Sequence, residues 1–155
     1  MNPKIKTKEA FHVIGLEYVG KNEHQEIGLM WDRFNQTIST IPNMIQPIEA
    51  CYGICFMMPG DPEGSFHYIA GVPVSSLENI PEGFVGKSIP KGKYAVFTHY
   101  GKLDTLQNTY QHLYQEWLPK SGLTMRGDLD FEYYDDRFLV DSDQSEFDIY
   151  VALKE

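Results

Sequence analysis

The chain has 155 residues, of which 42% are hydrophobic and 14% aromatic, enough to fill the core of about one domain. This content of aromatic residues excludes an intrinsically disordered chain. The formal net charge is −9, and residues 128–155 hold ten acidic and two basic residues. We therefore expect no direct contact with nucleic acid, whose phosphates require a basic surface.

The N-terminus and the apolar segments indicate where the protein resides. The first eight residues lack the apolar run of a secretory signal. No apolar run approaches the roughly 20 residues of a membrane-spanning helix. We expect a cytoplasmic protein that makes no contact with a membrane.

The chain contains two cysteines, Cys51 and Cys55. Four residues apart on a strand, their Cα atoms would lie about 13 Å apart, which is too far for a disulfide. No further cysteine or histidine follows at the spacing of a zinc site. We expect two reduced thiols within the core, no metal and no cofactor.

The first half of the chain alternates between strand and helix patterns. Residues 10–19 are rich in β-forming residues and predict a strand. A helix follows, with Asn22 as its cap and Pro42 at its end. Its apolar positions, which fall on one helical face, are Ile27, Met30, Trp31, Phe34, Ile38 and Ile41. Residues 50–58 and 66–74 predict two further strands.

The second half repeats that order after a stretch rich in glycine and proline, residues 75–92, which predicts a loop. A strand over 93–100 precedes a second helix that ends near Gly122. The apolar face of this helix consists of Leu106, Tyr110, Leu113, Tyr114 and Trp117. Residues 130–134 and 146–153 predict the last two strands.

The repeated order predicts an α+β fold with a pseudo-two-fold axis. Each half is a strand–helix–strand–strand module, and the halves cover about residues 1–80 and 81–155. Neither half could cover its own sheet, so we expect one antiparallel sheet in a single domain, residues 1–155. A seam between two related halves is a favoured position for a ligand cleft.

The sequence contains none of the common nucleophile, phosphate-binding or dinucleotide-binding motifs. Glu132 stands apart because it lies between aromatic residues on a predicted strand. Alternation along the strand places Glu132 and Tyr134 on one face, and Phe131 and Tyr133 on the other. Facing the groove, Glu132 would be a single acid among rings; facing solvent, it would join the neighbouring aspartates. The alternation of side chains along the strand does not decide between these two positions.

Aromatic residues are the second notable feature, with ten tyrosines, nine phenylalanines and two tryptophans. Rings around one buried carboxylate suit a flat, lipophilic cation through cation–π contact and charge pairing. Both tryptophans could equally belong to the core. The candidate ligand-binding residues besides Glu132 and Tyr134 are Trp31, Tyr52, Phe56, Tyr68, Trp117 and Tyr150.

Several segments in order resemble the GyrI-like, or AraC-type effector-binding, family of small-molecule-binding domains. These segments are Tyr52-Gly53, 66–74, 89–101, 110–122, 131–134 and 147–153. The resemblance implies a duplicated module with a ligand cleft between its halves. It also implies a role for the acid of the Phe131–Tyr134 segment, here Glu132, with Tyr134 two residues later.

The resemblance implies three alternative functions. In related drug-sensing regulators this acid meets lipophilic cations, which favours a protein that binds an aromatic or cationic small molecule. Some relatives hydrolyse strained, cyclopropane-bearing toxins, and then Glu132 and Tyr134 would be the catalytic groups. Others are described as gyrase inhibitors, which would make the chain a protein-interaction module. Because the domain begins near residue 3, we expect a stand-alone binder or enzyme and not a transcription factor by itself. A sensing role would require a partner regulator.

Overall fold

The computed structural model describes residues 3–154, and the eight strands within this range form one antiparallel sheet. The strands are β1 (Lys4–Lys8), β2 (Phe11–Gly20), β3 (Cys51–Phe56), β4 (Phe66–Val74), β5 (Val85–Ile89), β6 (Gly92–Tyr100), β7 (Met125–Tyr134) and β8 (Glu146–Leu153). Their order across the sheet is β1-β6-β8-β7-β3-β4-β2-β5.

The helices lie in the connections β2–β3 and β6–β7. They are α1 (Glu26–Thr37), α2 (Leu106–His112) and α3 (Leu118–Ser121), and a π-helical turn, Leu113–Trp117, joins the last two. The N-cap position of α1 is Gln25 rather than the predicted Asn22, although Asn22 Oδ1 accepts a hydrogen bond from the Ile27 N–H in the first turn at 3.0 Å. None of the helices in residues 3–154 has the length and apolar character needed to cross a membrane.

The strand order confirms the predicted duplication. One module is β2–α1–β3–β4 and the other is β6–α2–α3–β7–β8. Within the sheet, β2-β4-β3 on one side matches β6-β8-β7 on the other, and β3 pairs with β7 at the centre. The fold is therefore α+β with a pseudo-two-fold axis at the β3–β7 seam.

Two strands depart from the predicted elements. The loop predicted over 75–92 contains β5, which pairs with β2 and places Ile89 opposite Phe11. Gly86 and the proline after Ile89 are loop signals in sequence. In the structure, however, a Cβ on Gly86 would lie only 2.7 Å from Ile80 Cδ1, so the glycine allows close packing. Strand β1 pairs with β6 at the opposite edge.

Two short linkers force the sheet to curl. Residues 9–10 join β1 to β2, and residues 90–91 join β5 to β6, although each pair of strands lies six places apart in the sheet. In a flat sheet that separation would be about 29 Å, whereas the chain between them reaches only about 11 Å. The two edges must therefore approach one another. Lys91 Nζ lies 3.4 Å from Glu9 Oε2, which links the two linkers.

The curl gives the sheet an inner and an outer face. The inner face is filled by apolar and aromatic side chains, among them Tyr94 and Phe131. On the outer face, α1 buries Met30 and Phe34 against β2 and β4. The second helical segment buries Leu113 against β6 and β8. The central strands β3 and β7 thus lie between the two packed helices.

Candidate functional site

A cleft of about 750 Å³ lies between α1 and α2 above the central seam of the sheet. The register of β3 and β7 forms its floor, with Gly53 opposite Glu132 and Cys55 opposite Asp130. Strand β3 therefore contributes small residues beside the acids of β7, which leaves room above them. The side chains around the cleft include Ile27, Trp31, Phe66, Tyr68, Leu106, Tyr110, Tyr114 and Tyr134.

Glu132 is held by three tyrosine hydroxyls and is only 9% exposed. Tyr68 and Tyr134 donate to its Oε1 at 2.7 and 2.8 Å, and Tyr110 donates to its Oε2 at 2.7 Å. These donors come from β4, β7 and α2, so both modules fix the carboxylate. Trp31 Nε1 donates to the Tyr68 hydroxyl at 3.1 Å and extends the network to α1.

The electrostatics of this network favour donors that stay protonated. Burial raises the pKa of Tyr68, Tyr110 and Tyr134 above the ordinary tyrosine value, and the charge of Glu132 raises it further. Within residues 3–154, no salt bridge reaches Glu132. The carboxylate is thus buried, hydrogen-bonded and without a cationic partner from the described chain.

Gly53 makes the network possible. A Cβ at this position would lie 1.9 Å from the Tyr68 hydroxyl oxygen and 2.9 Å from Glu132 Oε1. Real side chains do not approach that closely, so Tyr68 reaches Glu132 only across a glycine. The Gly53 of the resemblance therefore has a physical reason in this site.

A second tyrosine–acid pair, Tyr114 and Asp130, lies beside the pair of Tyr110 and Glu132 along the cleft. The Tyr114 hydroxyl donates to Asp130 Oδ2 at 2.5 Å. Tyr110 and Tyr114 are four helical residues apart, a rise of about 6 Å, and Glu132 and Asp130 are two strand residues apart, about 6.7 Å. The rings of Tyr110 and Tyr114 are parallel within 5°. Burial raises the pKa of Asp130 above its ordinary value.

The structure brings four of the residues singled out in the sequence together in the cleft: Glu132, Tyr134, Trp31 and Tyr68. It places Tyr52 and Tyr150 on the inner face, where they pack against Phe131 with ring centroids 5.5 and 4.6 Å away. Register is the reason, because Tyr52 lies opposite Tyr133 and Tyr150 opposite Phe131. Neither lines the cleft.

The other two aromatic candidates also lie outside the cleft. Phe56 stacks on His67 at 4.9 Å and borders a smaller, adjoining cavity. Trp117 packs edge-on against Phe97 at 4.9 Å in the core beneath the second helix. Both cysteines are free and partly buried, and burial raises the pKa of Cys55, on the cleft floor, to about 12.

Sequence reasoning missed Tyr110, Tyr114 and Asp130 as cleft residues. The two tyrosines were assigned to the apolar face of the second helix, and Asp130 to a strand without a role. Their spacing carried a signal: Asp130, Glu132 and Tyr134 alternate along one strand face, and the tyrosines are four apart on a helix. Only the contact between the helix and the strand shows that the two patterns match.

The two tryptophans allow a direct test of the cleft. We expect Trp31→Phe to abolish most of the change in tryptophan fluorescence when a ligand binds, because Trp31 lines the cleft. Trp117→Phe should preserve that change, because Trp117 packs against the core outside the cleft. Titration of both variants with N-methyl-4-phenylpyridinium, an aromatic cation, gives the comparison. A signal that disappears only in Trp117→Phe would contradict this placement.

Asp130→Asn should stabilise the protein at neutral pH. Burial raises the folded-state pKa of Asp130, so the folded state binds the proton more tightly than the unfolded state. Stability from this group is complete below the unfolded value of about 3.9 and decreases as the pH rises through the folded value. Thermal unfolding across pH should therefore show the largest gain near neutrality and none in strong acid. An equal gain at every pH would contradict this explanation.

Curated relatives are similar to this chain. The transcriptional regulator BrlR of Pseudomonas aeruginosa is 38% identical over 154 residues, which is 99% of this chain and 56% of the regulator. The probable transcriptional regulator YgiV of Escherichia coli is 36% identical over 83 residues, 51% of this chain and 52% of that protein. The chain thus spans about half the length of the curated relatives it matches.

A solved structure of SAV2435 bound to tetraphenylphosphonium has the same fold, with a TM-score of 0.79 and 18% identity over 99% of this chain and 94% of that one. An integron cassette protein of Vibrio cholerae has a TM-score of 0.72 and 20% identity over 99% and 97% of the two chains. Residues 4–153 match the Cass2 family, described as integron-associated effector binding protein. The chain therefore belongs to the Cass2 family of integron-associated effector-binding proteins.

Proposed function

We propose that the cleft binds a lipophilic, aromatic cation and that Glu132 provides its countercharge. The observation that carries this proposal is the buried carboxylate of Glu132, which holds three tyrosine hydroxyls and no cation of the described chain. A desolvated charge of this kind is costly unless an opposite charge compensates it. A cationic ligand supplies that charge from outside.

The walls of the cleft match such a ligand. Trp31 and the tyrosines around Glu132 present ring faces and edges, and Ile27 and Leu106 add apolar surface. A cation gains from ring quadrupoles and from apolar burial at once, particularly where water is displaced. The SAV2435 structure supports this ligand class, since a protein of the same fold is bound there to tetraphenylphosphonium, a lipophilic cation.

The hydrogen bonds of Glu132 favour binding over hydrolysis. A carboxylate offers about four acceptor positions, and hydroxyls of Tyr68, Tyr110 and Tyr134 occupy three of them. A general base must accept a proton from a water at hydrogen-bond distance. Here such a water would compete with the three tyrosine hydroxyls for the acceptor positions of Glu132. The carboxylate is therefore better suited to bind a cation than to accept a proton from water.

A matched pair of probes tests the proposal. N-methyl-4-phenylpyridinium carries a fixed positive charge, and 4-phenylpyridine has nearly the same shape but is neutral at mildly alkaline pH. We expect calorimetric titration to give at least about tenfold tighter binding for the cation. Equal affinities would contradict the proposal. Mass spectrometry of the recovered ligand should show no change, whereas addition of water would favour the hydrolase.

A further inference from the structure

A smaller cavity of about 340 Å³ adjoins the cleft at the Asp130 end of the floor. We call it the side chamber. It shares four residues with the cleft, namely Cys55, Phe66, Tyr114 and Asp130. Its other walls are mainly apolar and consist of Phe56, Met57, Gly127, Leu129, Met125 and Asp128. A ligand seated at Glu132 could thus extend past Asp130 into a second apolar space.

Asp130 lies at the junction of the two cavities and forms no salt bridge within residues 3–154. The Tyr114 hydroxyl donates a hydrogen bond to its carboxylate, and the backbone N–H of Ala152 donates another. The neighbouring Asp128, in contrast, is paired with Arg126, with 2.6 Å between Oδ1 and Nε. Asp130 and Glu132 are therefore the two acids of the cleft floor that no salt bridge of the described chain compensates.

The separation of the two acids is fixed by the fold. They project from the same face of β7, two residues apart, which sets their Cα atoms about 6.7 Å apart. Tyr110 and Tyr114 hold one carboxylate each, and their parallel rings keep that spacing from α2 into the π-helical turn. Two anionic points at a set distance select for two cationic points at a similar distance.

We propose that the cleft and the side chamber together bind an elongated aromatic dication, with one positive charge at Glu132 and the other at Asp130. This inference rests on the proposed function, which requires only the first charge. The side chamber covers the second end of the ligand. Met57 and Met125 in its wall are flexible and polarizable, and they adapt to ends of different shape.

Methyl viologen provides a suitable dication, because two linked rings separate its charged nitrogens. N-methyl-4-phenylpyridinium has a similar two-ring shape, with a neutral phenyl ring in place of the second charged ring. We expect wild type to bind methyl viologen about tenfold more tightly than the monocation. Asp130→Asn should reduce that ratio to about one. Asp136→Asn removes an exposed charge outside both cavities and should leave the ratio unchanged.

Tyr114→Phe is a second variant, because it retains the Asp130 charge and removes only the hydrogen bond from the Tyr114 hydroxyl. It should lower the preference for methyl viologen less than Asp130→Asn does, because the charge of Asp130 remains while the hydroxyl that positions it is lost. Thermal unfolding checks that each variant is folded. A wild-type ratio near one, with the monocation still preferred over 4-phenylpyridine, overturns this inference and leaves the proposed function intact. The inference is also overturned if Asp130→Asn keeps the wild-type ratio. Equal binding of the monocation and 4-phenylpyridine overturns both.

Discussion

Glu132→Gln should weaken the binding of tetraphenylphosphonium by roughly a hundredfold, the effect expected when one partner of a desolvated charge pair is removed. Glutamine keeps the shape of the side chain but carries no charge. Its amide group also presents a donor to one of the tyrosine hydroxyls, which themselves donate in the native site. Fluorescence titration through Trp31 measures the loss.

Two variants separate the charge of Glu132 from other effects. Asp136→Asn removes an exposed negative charge and should bind the cation as wild type does. Tyr134→Phe keeps the carboxylate but removes one of its three donors, so a loss smaller than that of Glu132→Gln is expected. A folded Glu132→Gln protein with wild-type affinity would contradict the role given to this carboxylate.

Gly53→Ala should both destabilise the protein and abolish cation binding. The new methyl group would lie 1.9 Å from the Tyr68 hydroxyl oxygen and 2.6 Å from its Cζ. The Tyr68 ring would have to leave Glu132 and break two hydrogen bonds, the one it donates and the one it accepts from Trp31. Overpacking of this kind lowers the free energy of unfolding by about 1–3 kcal/mol. Urea unfolding measures that loss.

Gly28→Ala is the matched control for this substitution. Gly28 also borders the cleft, but a Cβ there has no neighbour within 4 Å. In the helix α1 the same change should raise the free energy of unfolding by up to about 1 kcal/mol, since alanine is the better helix former. If Gly53→Ala and Gly28→Ala were equally stable and both bound the cation, the close approach of Tyr68 would not limit the site.

Periodicity predicted most of the fold because the central elements have strong patterns. The helix around Met30 and Phe34 and the strands over 66–74 and 146–153 match the structure closely. Strands β1 and β5 were not predicted, because each is short and pairs only with a distant edge of the sheet. Such strands depend on tertiary partners that no local window contains.

The site was predictable to the extent that it depends on one strand. Alternation placed Glu132 beside Tyr134, and the resemblance favoured the groove over the solvent. The choice among the aromatic residues required the register between strands, since Tyr52 and Tyr68 look alike in sequence but face opposite sides of the sheet. Tyr110 and Asp130 required the packing of α2 on β7, which is a tertiary property.

The crossed linkers over residues 9–10 and 90–91 have a mechanical consequence. Each half of the chain pairs its first strand with the module of the other half: β1 pairs with β6, and β5 pairs with β2. The halves are therefore joined as in a strand-exchanged dimer, but within one chain. Hinging the halves apart at the β3–β7 seam would pull both exchanged strands. We therefore expect side chains such as Trp31 and the tyrosines to adjust to ligands of different size. The two exchanged strands keep the floor beneath these side chains in place.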